Sequence, residues 1–374
     1  MRTRNWIFTA LTLLIFLFYH SLLKIHYTSQ IIHLTGQGGR SAQHGRPKDG
    51  FAYVFYATAD LYACSTLVNI HRLRTLNSTV PIHVLASEYL SIPYMDALQD
   101  ANVTVHIEET PYARSLARGY YEDCLLKMLA FKMHKLDPSL KRILVLDSDQ
   151  LILKHFDDLF LDLPRVDLAA ARAYWLPPGH AVFSSAFMMV TLSDRLWHKV
   201  NQTLPSRDWP AGGADMDILN KELGDTAMIL SGEYVTLNSH WEDWDLPNWF
   251  HPEDGPPSNR TILEVVPNVS ELMDKPPVEP LADLKARETA DQTPVAHLEP
   301  RTPRFPEDSE MFQQLTQLHE YASIIHFSAL GKPWTYSAQE VMKERPGAHP
   351  LFAFQFGMWR KVASEVCPED WSVK

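Results

Sequence analysis

The stretch Arg142–Gln150, RILVLDSDQ, constrains this chain more than any other. A short, wholly aliphatic run before two aspartates reads as a strand buried on both faces. That pattern belongs to a mostly parallel sheet covered by helices. Asp147 and Asp149 stand where the strand ends. In extended backbone, residues i and i+2 share a face, so the two acids make a carboxylate pair. Two adjacent carboxylates repel, and one takes up a proton unless a cation lies between them. A hard divalent ion, Mn²⁺ or Mg²⁺, relieves this through oxygen ligands and keeps positions for phosphate. Open α/β sheets bind ligands at the carboxyl ends of their strands. Taken alone, an ordinary acidic loop would read the same way.

The surrounding sequence supplies the sheet. FAYVFYAT from Phe51, PIHVLAS and VTVHIEE read as three strands before the aspartate strand. Asp60–Leu76 (with Asp60 as N-cap), Ile92–Ala101 and Tyr121–Leu136 read as the helices between them. Further on, Ala186–Ser193, Ala227–Leu237 and YASIIHFS read as strands, Met216–Leu223 as a short helix and Leu351–Val366 as a final amphipathic one. The expected class is α/β with a Rossmann-like, mostly parallel sheet and helices on both faces. No internal repeat is visible. Residues 51–374 are expected to form one catalytic domain, interrupted at about 251–312. That segment holds 11 of the 26 prolines, and 13 acidic against 6 basic residues, the composition of a surface insertion without regular structure.

The N-terminus bears on location. Trp6–Leu23 is an apolar run preceded by Arg2 and Arg4, so residues 1–26 are expected to be a cytosolic tail and signal-anchor transmembrane helix. A cleaved signal peptide is the other reading. Residues 27–50 read as a stem, which places a type II membrane protein in the Golgi or endoplasmic reticulum with its body in the lumen. Sequons at Asn77, Asn102, Asn201, Asn259 and Asn268 agree with that. The formal charge of −11 argues against a duplex nucleic-acid partner. Cys64, Cys124 and Cys367 allow one bridge and one free thiol.

A second segment, IIHFSALGKPW, ends another apolar strand in His326, with Lys332 in the following turn. A neutral imidazole could be a third metal ligand, and an ammonium there could neutralise a phosphate leaving group. Alone, they read as a core histidine and a solvated lysine. Four stretches together resemble glycosyltransferase family 8, the glycogenin-like retaining transferases of GT-A fold. They are YATADLYACSTLVNIHRL, KMLAFKM with RILVLDSDQLILK, GGADMDILN, and HFSALGKPW. The anchor and insertion make the chain more similar to fungal-type secretory-pathway members than to cytosolic ones.

The resemblance implies roles residue by residue. Ala57, Thr58 and Tyr62 would contact uridine. Asp147, Asp149 and His326 would hold Mn²⁺ (or Mg²⁺). Lys127 and Lys332 would face the nucleotide sugar and its diphosphate, with Ser148 and Ser185 among the donor-binding residues. Asp215 would lie near the transferring sugar. The sequence shows no nucleophile; Asp215 and Asp217 are the candidates, and front-face attack assisted by the leaving group needs none. Three places depart from the family pattern: Asp215-Met216-Asp217 replaces D-Q-G, Ser184-Ser185-Ala186 replaces N-S-G, and Ala329 replaces the glycine of the last motif. The implied activity is metal-dependent, retaining transfer of a hexosyl group (glucose, N-acetylglucosamine or galactose) from a UDP-sugar to a hydroxyl of a glycan or glycoprotein. One alternative is a catalytically inactive binding or scaffold protein that keeps the fold. The other is a D-x-D phosphatase, which would use Asp147 as nucleophile but place the motif on its first strand.

Overall fold

The computed structural model describes residues 50–111, 123–176, 182–204, 215–251 and 304–372. The anchor and stem segments, most of the 251–312 insertion and the sequons at Asn259 and Asn268 lie outside these. Everything below concerns the unit Lys48–Lys374. Among the described residues no helix is long and apolar enough to cross a membrane.

The strands in chain order are β1 (Phe51–Ala57), β2 (Ile82–Ser87), β3 (Thr104–Glu108), β4 (Arg142–Leu146), β5 (Gln150–Ile152), β6 (Leu168–Arg172), β7 (Phe183–Thr191), β8 (Met228–Leu230), β9 (Thr236–Leu237) and β10 (Ile324–His326). Seven form one sheet in the order β3-β2-β1-β4-β7-β6-β8, and the other three a small sheet, β5-β10-β9. The β3-β2-β1-β4 half is parallel, as the strand–helix alternation predicts. β7 runs antiparallel to both β4 and β6, so the sheet is mixed and parallel-rich. The aspartate strand is central and every residue of it is buried.

One apolar layer packs side chains of the helices Asp60–Thr75 and Pro350–Val366 (Leu67, Ile70, Phe352, Phe356, Trp359) on one sheet face. The other layer packs Leu126, Phe131, Leu196 and Leu219 on the opposite face. Both faces are therefore covered, the reason the strands are almost wholly apolar. Cys64 is bridged to Cys367, tying these two helices together, and Cys124 is free.

Several local expectations are corrected. Asp60 is not the N-cap of its helix. Ala59 holds that place, and the Asp60 carboxylate accepts instead from Ser91 N at 2.9 Å. The helix read over Tyr121–Leu136 is a 3₁₀ segment, Asp123–Lys132, followed by one α-turn, Met133–Leu136. Leu125, Leu126, Met128, Leu129, Ala130 and Phe131 are all buried, so packing around the whole segment overrides helix propensity there. The strand read over Ala227–Leu237 splits into β8 and β9, in different sheets, around the turn Gly232–Tyr234. A Cβ on Gly232 would lie 2.4 Å from Trp249 Cδ1, so only glycine lets the chain pass there. The helix Glu310–Tyr321, capped by Ser309, begins inside the stretch read as insertion.

Candidate active site

The small sheet brings the two halves of the site together. β5 follows directly on Asp149, and β10 pairs with it antiparallel, with His326 opposite Gln150. Phe327 N donates to Asp149 O at 3.3 Å. One ligand atom from each of Asp147, Asp149 and His326 can be chosen so that all lie within 4.8 Å of one another. Residues widely separated in sequence thus converge at the carboxyl end of β4.

The aspartate turn is held by the polar residues of the helix Asp60–Thr75. Ser65 Oγ donates to Ser148 O at 2.5 Å, and Asn69 Nδ2 to Gln150 O at 2.9 Å. Asn69 Oδ1 accepts from Ile152 N at 3.1 Å, and Arg72 Nε donates to Ile152 O at 2.9 Å. These buried polar side chains satisfy main chain that no strand partner reaches. Ser148 itself is turned inward. Its hydroxyl donates to Tyr56 O and lies 3.1 Å from Thr66 Oγ1, so it braces the turn where the sequence placed it among donor-binding residues.

Each aspartate has its own lysine. Lys127 is buried, with Nζ 2.5 Å from Asp147 Oδ1, 2.7 Å from Asp215 Oδ2, and 3.3 Å from both Ser185 O and Oγ. Tyr56 OH also donates to Asp147, at 3.1 Å. Lys332 Nζ donates to Asp149 Oδ2 at 2.7 Å and to Phe327 O at 2.8 Å. Burial pushes Asp147 up to about 6; Lys127 opposes that, while Asp149 and Asp215 add to it. Burial works against Asp149 too, but His326 and Lys332 outweigh it and hold the carboxyl down at about 2. Burial drives the His326 imidazole down to about 4, leaving it neutral at pH 7. For Lys127 burial alone would lower the pKa, yet Asp147 and Asp215 raise it well above the usual lysine range.

This donor set fits a hard divalent cation. It offers two carboxylates and a neutral imidazole, and His326 Nδ1 is buried with no hydrogen-bond partner among the described residues. Three carboxylates against two ammoniums leave the cluster with one negative charge in excess.

The remaining expected residues divide. Ala57 and Thr58 are buried where β1 ends, at the same edge as the aspartates. Tyr62 meets Trp334 edge-on with ring centres 5.1 Å apart, so the first and last motifs touch. Asp215 joins the Lys127 cluster, while Asp217 is exposed on the same helix, Asp215–Leu223. Positions i and i+2 on a helix lie about 200° apart, so one side chain faces in and the other out. Tyr56 and Asn238 were missed. Asn238 is wholly buried, and its Oδ1 accepts from Ser328 N at 2.8 Å and Ala329 N at 2.9 Å. It anchors the turn in which Leu330 and Gly331 take left-handed backbone, φ 62° and 115°, ahead of Lys332. A backbone-binding asparagine in mid-chain leaves no sequence signal.

No family model matches the sequence. Over 215 residues it is 30% identical to glucose N-acetyltransferase 1 of Gibberella zeae, covering 52% of this chain and 45% of that protein. Over 201 residues it is 25% identical to glucose N-acetyltransferase 1 of Aspergillus fumigatus, covering 48% of this chain and 51% of that one. The chain thus spans about half the length of these curated relatives. Among solved structures, the bifunctional glycosyltransferase WbbM superposes with a TM-score of 0.50 at 11% identity, over 96% of this chain and 57% of that chain. The galactosyltransferase LgtC gives 0.47 at 14% identity, over 86% of this chain and 98% of that chain. The fold is that of a GT-A-like glycosyltransferase.

Proposed function

We propose that this chain is a metal-dependent glycosyltransferase. In this reading it moves a hexosyl group from a UDP-sugar to a hydroxyl of a glycan or glycoprotein, with retention, as a family 8 member of fungal secretory type. The observation that carries it is the convergence of Asp147, Asp149 and His326 beside Lys332 at the carboxyl end of β4. Bound between those three residues, Mn²⁺ or Mg²⁺ would supply the positive charge that offsets a departing diphosphate. Lys332 would add its ammonium on the same side of the diphosphate. Lys127 keeps Asp147 and Asp215 oriented within one buried cluster, and Asp215 presents a carboxylate where positive charge would grow on the transferring sugar. Ala57, Thr58 and Tyr62 would receive uridine, and Ser185 sits beside Lys127. Asp217 is turned away from that cluster, so Asp215 is the acid retained for the sugar. UDP-N-acetylglucosamine, UDP-glucose and UDP-galactose are the donors to try.

The lumenal, type II reading is part of the proposal. The apolar run 6–23, the exposed sequon asparagines Asn77 and Asn102 and the Cys64–Cys367 bridge support it, since disulfides persist in oxidising compartments. The test of activity is UDP release from the three donors with Mn²⁺, with stereochemistry followed by NMR. UDP release that requires Mn²⁺ is expected. Absence of turnover and of Mn²⁺–UDP binding would reject the function.

A further inference from the structure

β6 leaves the sheet at the same pole as the aspartates. It is antiparallel to β7, and the start of β7 puts Ser185 beside Lys127 and Ala186 O beside Asp147 N. Past Arg172 the chain turns, with Ala173 N donating to Val182 O at 3.0 Å and Leu176 N to Ala173 O at 3.2 Å. This turn carries two adjacent aromatic residues with opposite fates.

Tyr174 is buried and fixed from several sides. Its hydroxyl accepts from Leu237 N at 3.0 Å and lies 2.9 Å from His240 Nε2. His240 Nδ1 in turn lies 2.6 Å from Asp245 Oδ1. The His240 ring stacks on Tyr174 at 5.6 Å, and Trp249 meets it edge-on at 6.1 Å. Gly232 lies underneath, where a Cβ would come within 2.5 Å of Tyr174 Cδ1. Leu237 is the residue paired with His326. The Tyr174 hydroxyl therefore touches the strand next to the one that carries the candidate metal ligand.

Trp175 rests edge-on against this fixed ring, with centres 5.3 Å apart. It is 38% exposed, the one tryptophan among the large exposed apolar side chains of the described residues. Trp175 is thus connected to the His326 strand through the Tyr174 ring and its hydroxyl bond to Leu237 N. A pyranose presents one face of C–H bonds with slight positive charge. An indole presents a negative π face and a large apolar area, and its rigidity costs little entropy on binding.

We propose that Trp175 is the stacking floor of the acceptor subsite, taking the C–H face of a pyranose ring; this rests on the glycosyl-transfer reading above. Tyr174, with His240 and Asp245 behind it, is the positioning group that holds the floor in place. The chemical class of ligand is a neutral pyranoside, not a nucleotide.

Saturation-transfer NMR on the full chain tests this with methyl α- and β-glycosides of glucose, galactose, mannose and N-acetylglucosamine, plus cellobiose and maltose. At least one of these probes is expected to receive saturation from the wild-type protein. The signal should fall at least tenfold in Trp175→Ala and survive within about threefold in Trp175→Phe. Mn²⁺–UDP affinity and UDP-sugar hydrolysis should stay within twofold in both variants. The proposal is overturned if no probe binds the wild-type chain, or if binding is the same in a folded Trp175→Ala. Either outcome leaves the donor chemistry standing, since that reading is rejected instead by wild-type protein that neither binds Mn²⁺–UDP nor releases UDP.

Discussion

Asp147 and Asp149 share one turn and point to one site, yet their surroundings differ. Asp147 is the inner acid. It is enclosed by Lys127, Tyr56 and Asp215, and burial holds its proton up to about pH 6. Asp149 is the outer acid. It meets Lys332 from the Gly-Lys-Pro turn and faces His326, and its carboxyl is held down at about 2. The difference lies in what each lysine can do. Lys127, at 2% exposure, has no route to a ligand other than through its carboxylates, whereas Lys332, at 18%, borders solvent. Lys127 therefore braces the inner acid from within the core, and Lys332 is the ammonium at the solvent side of the pair.

Removing the outer acid should give the largest effect. Asp149→Ala is expected to lower UDP-sugar turnover by at least about a thousandfold with the fold intact, read by UDP release and near-ultraviolet circular dichroism. Full activity with added Mn²⁺ would erase the distinction between the two acids. Next come the lysines. Lys127→Met leaves Asp147 and Asp215 buried without their cation and should cost roughly 3–5 kcal/mol of stability, measured by urea denaturation. Lys332→Met should move stability far less while lowering kcat roughly a hundredfold. Equal stability losses would break the inner–outer contrast.

The comparison also shows what could be read from the sequence. RILVLDSDQ and IIHFSALGKPW read alone as an acidic loop and a core histidine, and it was their combination, in the order of the family motifs, that pointed to one site. The parallel half of the sheet was legible from the alternation of apolar strands with helices. Lys127 was ambiguous, since a lysine among Leu and Met in KMLAFKM reads equally as a surface helix residue; only the three-dimensional return of Asp147 and Asp215 makes its burial tolerable. β6, LAAAR, was missed because alanine carries little strand preference. Tyr56 carried no signal of its own within FAYVFYAT, and its hydroxyl bond to Asp147 arises from packing β1 against β4.

Proton competition sharpens the contrast further. Asp147 must lose its proton to serve as a ligand, so Mn²⁺ affinity should be constant above about pH 6 and fall up to tenfold per unit below it. His326, neutral above about 4, should add a second fall only near that pH. Isothermal titration from pH 4.5 to 8 checks the sign; affinity that rises on acidification would contradict it. The smallest effect belongs to Tyr56→Phe. Losing one hydrogen bond to Asp147 should cost about 1 kcal/mol and shift the Mn²⁺ midpoint slightly upward in pH, both measurable in the same titrations.

The most direct measurement is Mn²⁺ electron paramagnetic resonance on the full chain with UDP, comparing wild type, Asp149→Asn and His326→Ala. One bound Mn²⁺ per wild-type chain, with the bound signal lost in Asp149→Asn and weakened in His326→Ala, is the expected result. Wild-type binding in both variants would contradict a shared ion between β4 and β10.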